Sequence, residues 1–267
     1  MKLAREHWNR ENYQEFCDFL FAEAEEGYRE FVLGGTITER TLLGVRVPRC
    51  REIAKEILKG AALEFLKFEP VTFEEVMVRG LVIAGLPYDE MVARLKDFVA
   101  LIDNWEICDV FCAATGKNVR KHRAEFLEEI DKMLWSLDEF QTRFALVSLL
   151  DHYIVADYLP VIFDRLSGTV PYLSDGPGEL SVERAAGSYN GERVRDVMAW
   201  DAYYVKMAVA WLVATCFCKF PEETYAWFVE SKLPRWTHNK AIAKACESYR
   251  VDRDLKAELK KLKHPKL

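Results

Sequence analysis

Residues 73–83 read FEEVMVRGLVI, and this segment decides the fold class. Its apolar residues recur at steps of three and four, which is the period of an α-helix that buries one face. Thr72 stands directly before the segment as the predicted N-cap, since its hydroxyl can accept a hydrogen bond from the first turn. Pro87 follows Gly85 and Leu86 and predicts the end of the helix.

The sequence on both sides of this segment continues the helical period. Asp89 is predicted to begin the next helix, and Asp103 is predicted to cap a third helix that stops at Gly116. Pro48 and Pro221 stand where a first helical turn tolerates proline. Further helices are predicted over 121–135, 137–154, 157–166, 199–219, 221–231, 234–248 and 252–263. No convincing run of residues has the period of two that is typical of a strand.

Many helices with short polar connections predict an all-α protein built from antiparallel helix pairs. Pairs that repeat at about 40 residues would form a HEAT-like solenoid, and a compact helical bundle is the alternative. We expect one domain over residues 1–267. Its predicted interruption is residues 167–196, a glycine- and proline-containing insertion expected to form a surface loop with one short helix at Val182–Ala186.

The composition is typical of a globular protein in the cytoplasm. The N-terminus is polar and charged, unlike a signal peptide, and no apolar run reaches the roughly 20 residues that span a bilayer. Seven cysteines without paired CxxC motifs predict free thiols in a reducing compartment. The alternative for Cys108 with Cys112, or for Cys216 with Cys218, is a metal site, although we expect neither a metal nor a cofactor.

The net charge of −6 is unevenly distributed along the chain. Residues 11–30 contain seven acidic residues and one basic residue, whereas residues 40–59 contain six basic and two acidic ones. Residues 117–123 add four bases without an acid, and residues 231–267 contain eleven bases and four acids. The basic segments form one basic face if the fold brings them together; otherwise they are separate solvated helix faces.

Four residues are candidates for chemistry. Trp105 and Asp109 stand four positions apart on a predicted helix, so the indole and the carboxylate share one face. The alternative is an exposed acid beside a half-buried indole. Arg143 leads into an apolar helix and suits a carboxylate or phosphate partner. Trp211 ends an apolar run, in which core packing is the usual role of a tryptophan.

Two other enzyme classes lack their motifs. Gly34-Gly35 is followed by neither GK[ST] nor a fitting strand, so no nucleotide-phosphate loop is predicted. No nucleophile elbow surrounds a serine or cysteine.

Five motifs follow one another along the chain. They are LGVRVPRCREIAK at 43–55, Asn104-Trp105 with Asp109, Arg143-Phe144-Ala145, the KxAxxW spacing from Lys206 to Trp211, and the closing pair Asn239-Lys240-Ala241-Ile242 and Ser248-Tyr249-Arg250. In this order and spacing, roughly residues 40–165 and 199–255 resemble the DNA alkylation repair family of AlkD-like glycosylases.

The resemblance implies a right-handed superhelical stack of antiparallel HEAT-like helix pairs, whose concave cleft holds double-stranded DNA containing alkylated bases. It also implies a glycosylase that removes cationic N3- or N7-alkylated purines and works as a monomer. Asp109 would be the catalytic carboxylate, Trp105 and Trp211 the aromatic walls, and Arg143 the contact with the DNA backbone. Candidate phosphate contacts are Arg46, Arg49, Lys117, Arg120 and Lys121. The alternative is a non-catalytic helical-repeat scaffold that binds DNA structures or a protein partner on its concave face.

The chemistry of this reaction agrees with one carboxylate between two indoles. An alkylated ring nitrogen makes the base a cationic leaving group, so no general acid is required. Positive charge moves onto the sugar as the glycosidic bond lengthens, and a fixed carboxylate stabilises that charge and can orient the attacking water. Indole faces attract cations and exclude water.

Overall fold

The computed structural model describes residues 2–136, 138–169, 173 and 202–265. These residues form fourteen α-helices and one 3₁₀ turn, and they include no strand. The all-α prediction is therefore confirmed. The chain divides into two compact units, Met1–Lys121 and His122–Leu267.

The first unit is arranged around one central helix. Its helices are α1 (Arg10–Ala22), α2 (Glu26–Leu33), α3 (Val47–Ile57), α4 (Ala62–Phe65), α5 (Phe73–Gly85), α6 (Tyr88–Val99) and α7 (Trp105–Val119). Helix α5 packs against α1, α3, α6 and α7, and most of its side chains are buried. The core of this unit therefore lies around the segment from which the helical period was read.

The ends of α5 follow from local chemistry. The Thr72 hydroxyl accepts a hydrogen bond from the backbone N–H of Glu75, and the Glu75 carboxylate accepts one from the N–H of Thr72. This capping box confirms Thr72 as the N-cap. Inside the helix, a β-carbon on Gly80 would lie 2.3 Å from the ring of Phe98, so only glycine allows α6 to approach this closely.

Two predicted ends of α7 are wrong. The N-cap is Asn104, whose side chain accepts from the N–H of Ile107 at 2.9 Å. Asp103 instead accepts from the hydroxyl of Thr38 and the backbone N–H of Glu39, so a tertiary contact uses the carboxylate. The helix also continues through the buried Gly116, because a glycine costs a helix only about 1 kcal/mol and packing can exceed that.

The second unit has two consecutive core helices. Its elements are α8 (Arg123–Leu134), α9 (Glu139–His152), a 3₁₀ turn (Ala156–Tyr158), α10 (Leu159–Thr169), α11 (Tyr203–Lys219), α12 (Pro221–Glu230), α13 (Arg235–Glu247) and α14 (Arg253–Lys261). Helix α9 packs between α8 and α11, and α11 also packs against α12 and α13. This layered packing is typical of an α-solenoid. The right-handed curvature, the concave cleft and the single-domain boundary stay predictions.

The predicted insertion falls mostly outside the described residues, as does its short helix at Val182–Ala186. Its first residues, 167–169, belong to α10, which therefore ends three residues later than expected. Within the described part of the chain, none of the helices has the length and apolarity to cross a bilayer.

Candidate functional site

The first two turns of α7 present the candidate indole and carboxylate. Trp105 and Asp109 lie four residues apart, and both side chains are half-buried. The Trp105 Nε1–H donates a hydrogen bond to the carbonyl of Gly35 at 2.9 Å, which fixes one edge of the ring. The indole is therefore held in one orientation while part of its surface remains accessible.

The segment between α2 and α3 is fastened to the start of α7. Thr38 and Glu39 donate to the Asp103 carboxylate at 2.8 and 3.2 Å, and the Arg40 Nη2 donates to the carbonyl of Leu101 at 3.3 Å. Together with the bond to Trp105, these contacts hold residues 35–40 against residues 101–106. The position of the candidate indole thus depends on a segment about 70 residues earlier in the chain.

Glu106 is a site residue that sequence reasoning missed. Its carboxylate lies opposite the hydroxyls of Thr36 and Tyr28, at 3.4 and 3.5 Å. Burial raises the pKa of Glu106, while these two hydroxyls oppose the rise and the Glu74 charge adds to it. An acid in a first helical turn is ordinary in any sequence, so no signal distinguished Glu106 from a helix-stabilising residue.

Tyr28 connects this carboxylate to the surface. Its ring lies beside that of Phe31, with centroids 6.3 Å apart, and the guanidinium of Arg46 lies 5.0 Å from the Tyr28 centroid. Phe31 is 77% exposed, which is unusual for a large apolar side chain. The described part of this unit therefore presents aromatic rings both at the α7 start and on α2.

The LGVRVP motif is held by a buried carboxylate. Glu74, only 1% exposed, accepts hydrogen bonds from the backbone N–H groups of Leu43, Gly44 and Val45 at 2.9, 2.7 and 3.1 Å. Gly44 has a φ of +102°, and a β-carbon there would lie 2.6 Å from the carbonyl oxygen of Glu25. The motif is thus explained by the shape of this turn, which directs the chain into α3.

Two predicted phosphate contacts already have carboxylate partners. Arg46 donates to both oxygens of Glu25 at 2.8–3.0 Å, and this lowers the pKa of Glu25. Arg49 donates to Glu23 at 2.6 Å and to Glu52 at 2.8 Å. DNA phosphates would have to compete with these acids for the two arginines.

The other predicted phosphate contacts are arranged differently. Lys117, Arg120 and Lys121 are exposed at and just beyond the end of α7. None of the three forms an ion pair with a residue that the structure describes. Their charges are therefore available to a polyanion.

Arg143 and Trp211 belong to the second unit. Arg143 is 5% exposed, and its Nη1 donates to the carbonyl of Tyr204 at 3.0 Å, with the guanidinium 5.8 Å from the Tyr204 ring centroid. Trp211 is half-buried on α11. The structure places Trp105 and Asp109 on one face of α7. Since Arg143 and Trp211 lie in the other unit, the assembly of all four residues into one site stays a prediction.

The cysteines are all free thiols. Cys50, Cys108, Cys112 and Cys216 are buried, and burial raises the pKa of Cys216 to about 12, which keeps that thiol protonated at neutral pH. Among the described residues, no group of three or more histidine, cysteine or acidic side chains could hold a metal ion.

These features define a helical-stack protein that carries an indole–carboxylate pair on one helix face and exposed cations at the other end of the same helix. The family model of the DNA alkylation repair enzyme matches residues 9–159, more than half of the chain, and the chain belongs to this family. The family indicates a role in DNA repair with DNA as the substrate. The matched range contains Trp105, Asp109 and Arg143, whereas Trp211 lies beyond it. No curated protein and no solved structure matches the chain.

Proposed function

We propose that this protein is a DNA glycosylase that hydrolyses the N-glycosidic bond of cationic N3- or N7-alkylated purines in duplex DNA. The observation that carries the proposal is the N-terminal end of α7, where a fixed, partly accessible indole shares a helix face with Asp109. Membership of the DNA alkylation repair enzyme family supports DNA as the substrate.

In the proposed reaction, the electron pair of the glycosidic bond moves to the alkylated nitrogen base, which leaves neutral. Positive charge develops on the deoxyribose, and the Asp109 carboxylate stabilises it electrostatically. Water adds its oxygen to the anomeric carbon, and its proton passes to Asp109 or to solvent. No metal or cofactor is needed, since alkylation has already created the leaving group.

The remaining residues are assigned to binding. Trp105 and Trp211 are proposed as the aromatic walls that attract the cation and exclude water. Arg143 is proposed to contact the DNA backbone, although its burial means that a phosphate would have to share it with the Tyr204 carbonyl. Lys117, Arg120 and Lys121 are proposed phosphate contacts, with Arg46 and Arg49 as weaker ones because of their carboxylate partners.

The protein is further proposed to act as a cytoplasmic monomer. Seven free cysteines suit a reducing compartment. A single chain contains every residue to which the reaction assigns a role, so the proposed chemistry requires no second copy.

The test is release of methylated base from alkylated duplex DNA by the wild-type protein and by Asp109→Asn. Because Asn retains the shape of Asp109 without its charge, we expect release to fall by a factor of 100 or more, on the order of what one electrostatic group contributes. The matched control is Asp97→Asn, which neutralises an exposed acid on α6 and should release base at the wild-type rate.

Two results would contradict this proposal. Unchanged release by Asp109→Asn would keep the activity but remove the catalytic role from this carboxylate. No release by the folded wild-type protein would favour the non-catalytic scaffold.

A further inference from the structure

The acid next to the candidate indole has no positive partner within the described chain. Glu106 follows Trp105 on α7, and its side chain is half-buried. Of the residues that the structure describes, none forms an ion pair with Glu106. A partly buried carboxylate usually has a cation beside it, because burial penalises an isolated charge. Glu106 is therefore a negative group whose counterion the described residues do not supply.

The hydrogen bonds to Glu106 leave part of its carboxylate unused. The hydroxyls of Thr36 and Tyr28 lie 3.4 and 3.5 Å from separate carboxylate oxygens. A strong O–H···O bond measures about 2.5–3.0 Å, and a carboxylate has about four acceptor positions. Two long bonds from neutral groups neither neutralise the charge nor fill these positions. The carboxylate can therefore still pair with a positively charged group.

The surroundings of Glu106 are negative and aromatic. Burial raises the pKa of Glu106, the like charge of Glu74 raises it further, and no cation of the described chain opposes these two effects. Around the helix axis, Asp109 stands between its neighbours, about 40° from Trp105 and about 60° from Glu106. One sector of α7 thus presents an indole and two carboxylates. A flat cation on this sector would meet both a ring face and a negative charge.

We propose that Glu106 is a specificity-determining residue whose carboxylate pairs with the positively charged ring of the alkylated purine. The proposal rests on the proposed function and gives the second carboxylate a separate task. Asp109 acts on the charge that develops on the sugar, whereas Glu106 acts on the charge that alkylation has already placed on the base. A cationic purine is favoured over a metal ion, because the adjoining indole offers a ring face and the described residues include no group of three metal-ligand side chains.

The experiment compares the binding of the full chain to two fluorescein-labelled duplexes that differ by one methyl group. One duplex contains N7-methylguanine on a sugar with a 2′-fluorine, which slows loss of the base, and the other contains guanine on the same sugar. The wild-type protein should bind the methylated duplex more tightly. Glu106→Gln keeps the shape of the side chain without its charge, so this ratio of affinities should fall by about fivefold, the order of one partly exposed charge pair.

Glu39→Gln is the matched control, because it neutralises an exposed acid in the segment that is fastened to the start of α7. This variant should keep the wild-type ratio, and Glu106→Asp, which retains the charge, should keep most of it. Equal binding of the two duplexes by the wild type would overturn the proposal, as would an unchanged ratio in Glu106→Gln. An equal fall in Glu39→Gln would also overturn it, since any nearby acid would then suffice.

Base release distinguishes the failure of this proposal from the failure of the proposed function. Asp109→Asn should lose release but keep the affinity ratio, because the sugar becomes positive only as the glycosidic bond breaks. If the ratio depends on Glu106 while the wild-type protein releases no base, the catalytic proposal fails and the cation site stands. If release depends on Asp109 while Glu106→Gln keeps the ratio, the glycosylase stands and Glu106 only stabilises the start of α7.

Discussion

Two basic regions of the chain have the same net charge in sequence but different surroundings in the fold. Residues 40–59 and residues 117–123 each have four more bases than acids. In the first region, Arg46 and Arg49 pair with Glu25, Glu23 and Glu52. In the second region, three exposed cations at and beyond the end of α7 form no ion pair with any residue of the described chain.

The difference comes from the acidic segment 11–30, which contributes Glu23 and Glu25 from the end of α1 and the turn before α2. A run of like charges therefore does not define a surface potential until the acids that pack beside it are known. DNA binding should distinguish the two regions, because only unpaired cations release counterions without first breaking a protein ion pair.

The largest effect is expected from Lys117→Gln/Arg120→Gln/Lys121→Gln. Neutralising three unpaired cations should reduce the slope of log affinity against log salt by about 2–3. Affinity for undamaged duplex DNA should fall by roughly 10- to 100-fold near 0.1 M salt. Fluorescence anisotropy titrations at several salt concentrations measure both quantities. A slope equal to the wild-type value would remove these residues from the DNA contact.

A smaller effect on DNA binding is expected in residues 40–59, where Arg46 and Arg49 already have carboxylate partners. Arg46→Gln/Arg49→Gln should change the slope by less than about 1, because both arginines are already neutralised by acids. Glu25→Gln should act in the opposite direction and strengthen DNA binding a few-fold, because it frees the guanidinium of Arg46. The same anisotropy titrations test both variants. The arginine variant could instead lose as much affinity as the α7 triple variant. That result would show that the ion pairs do not prevent Arg46 and Arg49 from binding DNA phosphates.

The smallest effect is expected for Glu106, which lies where residues 40–59 approach the start of α7. Arg46 lies over Tyr28, whose hydroxyl faces Glu106. The pKa of Glu106 is raised in the folded state, so its ionisation opposes folding. The stability contributed by the protonated Glu106 side chain is therefore fully present below the ordinary glutamate pKa of 4.5. It is lost as the pH rises through the folded-state pKa of Glu106.

Glu106→Gln should accordingly raise the free energy of unfolding by about 0.5 kcal/mol or less at pH 7, since the side chain is only half-buried. The gain should shrink at pH 4, where the wild-type carboxyl is protonated. Urea unfolding at the two pH values measures the difference, and Glu52→Gln is a control with an exposed acid. A gain that is larger at pH 4 than at pH 7 would reverse the assigned direction.

Sequence patterns predicted the features of this protein that depend on near neighbours. The period of residues 73–83 predicted a helix because apolar spacing determines which side of a segment can be buried. Thr72 was predictable as an N-cap because its partner, Glu75, is three residues away. The shared face of Trp105 and Asp109 followed from helix geometry alone.

Tertiary structure decided the features that depend on residues far apart in sequence. Asp103 and Asn104 are adjacent, and either side chain suits an N-cap. Asn104 caps α7, because the Asp103 carboxylate accepts hydrogen bonds from Thr38 and Glu39 instead. The sequence could not single out Glu106, because the hydroxyls that contact its carboxylate belong to the distant residues Tyr28 and Thr36.

The basic segments show the same division. Their net charges were countable in the sequence, but the accessibility of those charges was not, because electrostatic pairing depends on distance in space. The sequence by itself determined the helices, their near-neighbour caps and the residues that share a helix face. Only the tertiary structure decided which charged side chains stay accessible and unpaired. The reason is that the desolvation and ion pairing of each charge depend on the distant segment that packs beside it.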